Sequence, residues 1–346
     1  MPIPRSKVVD ESVTPWYHCI SRCVRRAFLC GEGVTHRKDW IERRLEELAS
    51  LFAIDCGGFA IMDNHLHTLL RLDSARANAW SDQEIARRWA TLFPIRDLQG
   101  TPLAITDARV NRLASDPDWV SQTRRRLADL GWFMKCLKEP LARMANKEDG
   151  YTGSFWESRF KSIAVLDEES LLATAAYIDL NPFAAGIAAA PEEAPHTSLN
   201  ARIEHSRAIG TLESIRDDLS TLTHDPSPEV GLWLLPVDDF RNDGGLRPGL
   251  VSGCTLSCYL RLLDWTSRLV RDGKAHLDTE VASIFDRLRV DSSDWIDRMS
   301  RLLREPRWSG SYFGKSSRLA EAALAHGRRW HRNQIRRVPA PLRAAV

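Results

Sequence analysis

The sequence predicts an α+β fold, an antiparallel sheet sandwiched by helices, with a largely helical second half. Three observations carry that expectation. Segments between residues 16 and 184 alternate in the order strand, helix, strand, strand, strand, helix. Two of those strands flank a short polar turn, Asp63-Asn64, which makes them antiparallel neighbours. Beyond about residue 200, apolar residues recur mainly at helical spacing.

Trp16-Tyr17-His18-Cys19-Ile20-Ser21-Arg22 has the aromatic and β-branched character of a strand, and Arg25, Arg26, Phe28 and Leu29 follow in a loop. Trp40, Ile41, Leu45, Leu48 and Phe52 recur at helical spacing across 36–52. Ile54 to Met62 is a second strand, bent or bulged at Gly57-Gly58. It forms a hairpin with a third strand that opens His65-Leu66-His67. Residues from about 75 to 149 form a helical insertion, punctuated by Pro94, Gly100-Thr101-Pro102 and Asp116-Pro117. Within it, Trp119 to Asn146 is a long helix or a helix pair, with the break expected at Glu139-Pro140. Arg159 to Val165 alternates as a fourth strand. Asp167 caps a following helix, with Glu168 and Glu169 favourable to its dipole, and Pro182 is expected to end it. Segments 254–272, 278–290, 292–304 and 316–337 are further helices. The expected division is residues 1–200, then an α-helical region over 201–346 that ends in a basic tail.

At 346 residues the chain can hold two domains, and 48 basic against 46 acidic residues leave a bulk charge that selects no partner. Two local clusters are more informative. No carboxylate follows Glu321, whereas Arg328, Arg329, Arg332, Arg336, Arg337 and Arg343 do. Arg124-Arg125-Arg126, Lys135, Lys138, Arg143 and Lys147 form the other. Each suits a polyanion, and each also suits an ordinary solvated helix face. Seven cysteines suggest no disulfide framework, and Cys19-x-x-x-Cys23 and Cys254-x-x-x-Cys258 fit zinc poorly. With no apolar leader and no long apolar run, the expected setting is cytoplasmic, without a membrane span.

His65 and His67 share one face of their strand, roughly 7 Å apart, and such a pair can hold a divalent cation. It would serve equally as a hydrogen-bonded pair on a half-exposed sheet. Ser170, Thr174, Tyr177 and Asn181 fall on one face of the helix after Asp167, beside an apolar stripe of Leu171, Ala175 and Ile178. Asn181 lies near the helix end, where free carbonyls favour a cation, and its carboxamide oxygen suits a third ligand. A helix cap before proline is its simpler role.

Taken together, Asp63-Asn64-His65-Leu66-His67 and Ala176-Tyr177-Ile178-Asp179-Leu180-Asn181-Pro182-Phe183-Ala184-Ala185-Gly186 resemble the single-tyrosine HUH transposases of the IS200 type. The likeness is strongest to the REP-associated members. Tyr17-His18-Cys19-Ile20-Ser21-Arg22 and Phe155-Trp156-Glu157-Ser158-Arg159-Phe160 support it, over about residues 14 to 190. The resemblance implies a ferredoxin-like HUH nuclease core over residues 1–200. Tyr177 would be its nucleophile, and His65, His67 and Asn181 would hold Mg²⁺ or Mn²⁺. One departure is Asn-Pro-Phe-Ala at 181–184, where relatives often carry Asn-Pro-Val followed by a basic residue.

A cation on a phosphodiester neutralises charge as a tyrosine attacks, and a 5′-phosphotyrosine with a free 3′-OH results. A second 3′-OH can reverse that step without ATP, so cutting and rejoining need one tyrosine. The proton acceptor is not specified by the sequence. Arg22, Arg25, Arg26, Arg159 and Lys161 are candidate contacts for single-stranded or hairpin DNA, and Trp156 a candidate stacking surface. REP-associated relatives imply a nucleoid-associated monomer, insertion-sequence members a homodimer. Two rivals stand beside this expectation. One is a hairpin-binding protein that does not cleave. The other is a metal-dependent hydrolase, disfavoured because no histidine lies between His67 and His196.

Overall fold

The computed structural model describes residues 8–31, 33–213, 215, 229–239, 248–272, 279–304 and 310–328. A five-stranded sheet in the order β2-β3-β1-β4-β5 forms its centre. Its strands are β1 (Trp16–Arg22), β2 (Ile54–Ile61), β3 (His65–Leu72), β4 (Lys161–Val165) and β5 (Tyr312–Phe313). The first four pair antiparallel, as the sequence predicts. The short β5 adds parallel to β4 and comes from the C-terminal half, where no strand was expected.

Alternation along the strands divides two cores. Tyr17, Cys19, Cys56, Leu66 and Leu70 point to one face, where α1 (His36–Leu51) and the insertion helices cover them. Ile20, Leu69, Ile163 and Val165 point to the other and receive α7 (Glu168–Ala184). α8 (Ser198–Ala208) follows α7 in the chain. Over α7 lie α9 (Leu256–Asp272) and α11 (Ser292–Arg304), with α10 (Thr279–Leu288) packed on α9, and their Tyr259, Leu262, Phe285, Trp295 and Met299 join the same core. Every residue of α7 from Glu169 to Pro182 is buried, as expected of a helix apolar nearly all round.

The insertion consists of α2 (Ser74–Ala79), α3 (Asp82–Leu92), α4 (Asp107–Ala114), α5 (Pro117–Leu127) and α6 (Leu130–Glu148). Here the expected break is displaced. It falls at Ala128-Asp129, where Asp129 accepts the Trp132 amide and caps a new helix. Pro140 stays inside α6. The carbonyl it cannot use, that of Cys136, instead accepts Arg44 Nε at 3.3 Å. Pro182 likewise fails to end α7, which continues to Ala184 and closes at Gly186. There φ is +73°, and Ile187 N donates to Pro182 O at 2.9 Å. Asn181 therefore lies inside the ladder, its carbonyl taken by Ala185 N at 3.0 Å. The free-carbonyl argument for a cation at that residue does not hold.

Gly57 sits at the bulge in β2, where a Cβ would come within 2.6 Å of Leu250 and 2.9 Å of Trp16. The seven cysteines are buried free thiols. The mid-chain basic cluster is largely committed to internal contacts. Arg124 donates to Ala77 O, Trp80 O and Asp82, Arg126 and Lys135 lie over Trp132, and Lys138 Nζ donates to Ser158 O. The helix expected over 316–337 is α12 (Ser316–Ala325); Arg328 follows it, and the rest of the arginine tail lies outside the described residues. Among the described residues no helix is long and apolar enough to cross a membrane.

Two polar contacts join α7 to the C-terminal helices. Arg298 on α11 pairs with Glu169 at 2.7 Å and donates to Ser170 Oγ at 2.9 Å. Asp179 is buried and accepts from Tyr259 Oη (2.6 Å), Ser198 Oγ (2.6 Å) and Leu199 N (2.9 Å). Replacing Asp179 with alanine leaves those donors without that carboxylate. The expected loss is roughly 3 kcal/mol of unfolding free energy in urea titrations, and a loss below about 1 kcal/mol would contradict the bond pattern.

Candidate active site

β1 and β3 are the middle pair of the sheet, and their register fixes which side chains share the α7 face. Arg22 lies across from His65, Ile20 from His67, and His18 from Leu69. On the other side of β1, Lys161 lies across from Ile20. The face therefore carries three histidines with two cations at its open end. The turn that presents His65 is anchored three times: Cys23 N donates to Asn64 O (2.8 Å), Cys30 N to Asp63 O (2.9 Å), and Lys38 pairs with Asp63 (2.6 Å).

The hairpin and α7 meet face to face. The Tyr177 ring stands edge-on to His67, centroids 5.5 Å apart at 85°, and to His18 at 6.0 Å and 69°. His65 and His67 are 4.9 Å apart, ring to ring. One turn beyond Tyr177, the Asn181 side chain lies near enough to the His65 ring to favour a proton on it, against the larger effect of burial. Thus the structure brings His65, His67, Tyr177 and Asn181 together. Ser170 and Thr174, placed on the same helical face, are buried further back: Thr174 Oγ1 donates to Ser170 O at 2.6 Å, and Ser170 Oγ meets Arg298.

Of the five candidate DNA contacts, Arg22 and Lys161 border the cluster. Arg26 lies near enough to disfavour a proton on His65, and its carbonyl accepts Asn64 Nδ2 at 3.1 Å. Arg25 and Arg26 are exposed at the foot of β1 with φ of 54° and 57°, left-handed conformations uncommon for arginine. Arg159 is not brought to the cluster; it is exposed and lines a groove with Lys138 and Trp156 towards α6. The Trp156 indole is held by Nε1 donating to Lys138 O at 3.0 Å.

Two residues of the cluster carry no expected role from the sequence. His18 is fully buried, stacks on His67 at 5.1 Å, and sets its Nε2 2.8 Å from His67 Nδ1. Asn64 Oδ1 lies 2.6 Å from His65 Nδ1. Alternation from Ile20 and a β1–β3 register would have found His18; neither histidine motif nor helix spacing contains it.

The electrostatics keep the cluster neutral. Burial, then Arg22, lowers His65 to about 4, and burial, then Lys161, lowers His18 to about 3. Burial, then His65 and His18, holds His67 well below the usual imidazole range. Lys161 is lowered to about 8 by burial and then by Arg22. Neutral imidazoles are the form that binds metals. Among the described residues no three or more His, Cys, Asp or Glu are grouped to hold a metal. The donor beside the two histidines is the Asn181 carboxamide. Two imidazoles and an amide oxygen are the donors a divalent cation would find here; the amide oxygen suits Mg²⁺ or Mn²⁺, the imidazoles a softer ion.

No family model matches the chain, and no curated protein matches it. Among solved structures the chain is similar to a REP-associated tyrosine transposase bound to a REP hairpin. That likeness has 10% identity and a TM-score of 0.32, over 55% of this chain and 78% of the other. At that score the likeness is faint.

The three histidines make stability depend on pH. Unfolded imidazoles take up protons below about 6.5, whereas the folded ones resist them down to about 4 for His65 and about 3 for His18. Stability is therefore full above about pH 6.5 and falls as the pH drops, at up to about 1.4 kcal/mol per pH unit for each histidine. Urea titrations at pH 7 and pH 5 should show a smaller loss in a His18→Gln variant than in wild type. Equal losses would mean that His18 protonates as readily folded as unfolded.

Proposed function

We propose that this chain cuts and rejoins single-stranded DNA beside a hairpin, through a covalent bond between Tyr177 and a 5′-phosphate. One observation carries the reading: the phenol of Tyr177 and the carboxamide of Asn181 meet the His65–His67 pair on a single buried face. The His-x-His strand and the Tyr-x-x-x-Asn helix support it from the sequence.

Arg22 and Lys161 would draw the scissile phosphate to the open end of the face, where their charges oppose its own. The packed sheet and helix hold the Tyr177 backbone beside the histidines, so attack needs a turn of the phenol and no assembly of the site. The phenol oxygen bonds to phosphorus as the phosphorus–O3′ bond breaks. The phenol proton leaves, and the departing 3′-oxygen takes up a proton. Mg²⁺ or Mn²⁺, held by His65, His67 and Asn181, would supply Lewis-acid polarisation of that phosphate. Reversal by another 3′-OH restores the phosphodiester and frees Tyr177.

A second reading has an observation of its own. Tyr177 is only 1% exposed. A covered phenol also suits a hairpin-binding protein that does not cleave. The two readings differ in one gel. With end-labelled hairpin oligonucleotides and Mn²⁺, the first expects a DNA-linked protein band that Tyr177→Phe abolishes. Shifted DNA with no such band under any divalent ion would select the second. A band that survives in the variant would assign attack to another tyrosine.

Phosphate contacts have a separate signature. Arg22→Ala and Lys161→Ala are each expected to weaken hairpin binding regardless of sequence, and to lower the slope of log K against log salt by about 1. An unchanged slope in both variants would remove them from the interface.

A further inference from the structure

The two histidines of the pair are held alike, and from the same ring position. Each has Nδ1 engaged by a neighbour: His65 by Asn64 Oδ1 at 2.6 Å, His67 by His18 Nε2 at 2.8 Å. In the first bond the direction is fixed. Asn64 Nδ2 donates to the Arg26 carbonyl at 3.1 Å, and turning the amide over would set its oxygen against that carbonyl. Asn64 Oδ1 can therefore only accept, and the His65 proton sits on Nδ1. This leaves the Nε2 lone pair of His65 as its metal-binding atom.

The second bond has two possible directions, because two ring nitrogens 2.8 Å apart share one proton. The metal-binding reading of His67 selects one of them. A neutral imidazole that offers Nε2 to a cation carries its proton on Nδ1, and His18 Nε2 is the acceptor there. Its ring has little room to turn: it is fully buried, stacked on His67 at 25°, and edged by Tyr177. We propose that His18 and Asn64 are a matched pair of positioning residues. Each accepts Nδ1–H from one histidine, fixes its tautomer and ring orientation, and presents its Nε2 to the cation. Metal-bound histidines usually lean on a carboxylate or a backbone carbonyl; here an amide and a third histidine fill that place, so the site gains no negative charge. This inference rests on the metal-binding reading of His65 and His67.

Two measurements test it. Long-range ¹H–¹⁵N correlation of the histidine rings in the labelled wild-type protein reads the tautomers directly and depends on no variant. His65 and His67 are expected as Nδ1–H. A proton on Nε2 of His67 would overturn the proposal for His18. Mn²⁺ titrations followed by electron paramagnetic resonance give the second readout, with His67→Ala as the baseline. His18→Leu is expected to bind Mn²⁺ about 10- to 100-fold more weakly than wild type. His18→Gln, whose amide oxygen can accept at a similar reach, should recover most of that loss. Equal Mn²⁺ affinity in wild type and His18→Leu would overturn the proposal and leave the metal site standing. Wild type that binds no better than His67→Ala would overturn both.

Discussion

The seating of α7 on the β1–β3 face is the constraint on which the site depends. Leu171, Ala175 and Ile178 share a core with Ile20, Leu69, Ile163 and Val165. A helix held there has no freedom to slide: a shift of one residue would turn its faces by about 100° and carry Tyr177 off His67. At the same time α9 and α11 remove the helix's outer face from water. Burial on both sides explains why polar groups on α7 are paired so fully, Asp179 with Tyr259 and Ser198, Glu169 with Arg298. Unpaired, each would weaken the packing that positions the tyrosine.

That burial also sets the electrostatics. In the same low-dielectric layer, imidazoles lose their protons and Lys161 is lowered to about 8. The face becomes a neutral donor set with cations only at its open edge. Such a gradient steers an anion toward the edge and leaves ring nitrogens available behind it. A cluster with a carboxylate in it would hold a cation more tightly when empty, and would oppose the phosphate that the proposed reaction needs.

Much of this was legible from residue patterns. Aromatic and β-branched content located β1, the Asp63-Asn64 turn located the β2–β3 hairpin, and alternation located β4. The capping Asp167 located the start of α7, and i, i+4 spacing put Tyr177 with Asn181. What escaped has physical reasons. Prolines mark helix ends only when the lost bond has no substitute, and Arg44 supplies one for Cys136 in α6. β5 is two residues long, too short for any periodicity to appear. His18 was visible as a strand residue, but its partnership with His67 depends on a diagonal across β1 and β3, and hence on register. α7, which precedes residue 200, and the later helices share one core.

The covered tyrosine raises the question of what must move for a phosphate to reach it. Displacing α7 would break the Glu169–Arg298 pair, whose side chains are 8% and 11% exposed, and the Asp179 network as well. Losing one partner of a buried pair costs about 3–5 kcal/mol, and each orphaned buried donor about 1–3 more. Turning the Tyr177 side chain about its own bonds costs on the order of 1 kcal/mol in rotamer strain and about 1.5–3 kcal/mol in lost burial. The comparison favours a stationary helix and a mobile phenol. Under the proposed reaction, the tyrosine then serves the histidines of its own chain, because the same α7 that carries it is bolted to their sheet. Under that reaction, a second copy is not needed to complete the site.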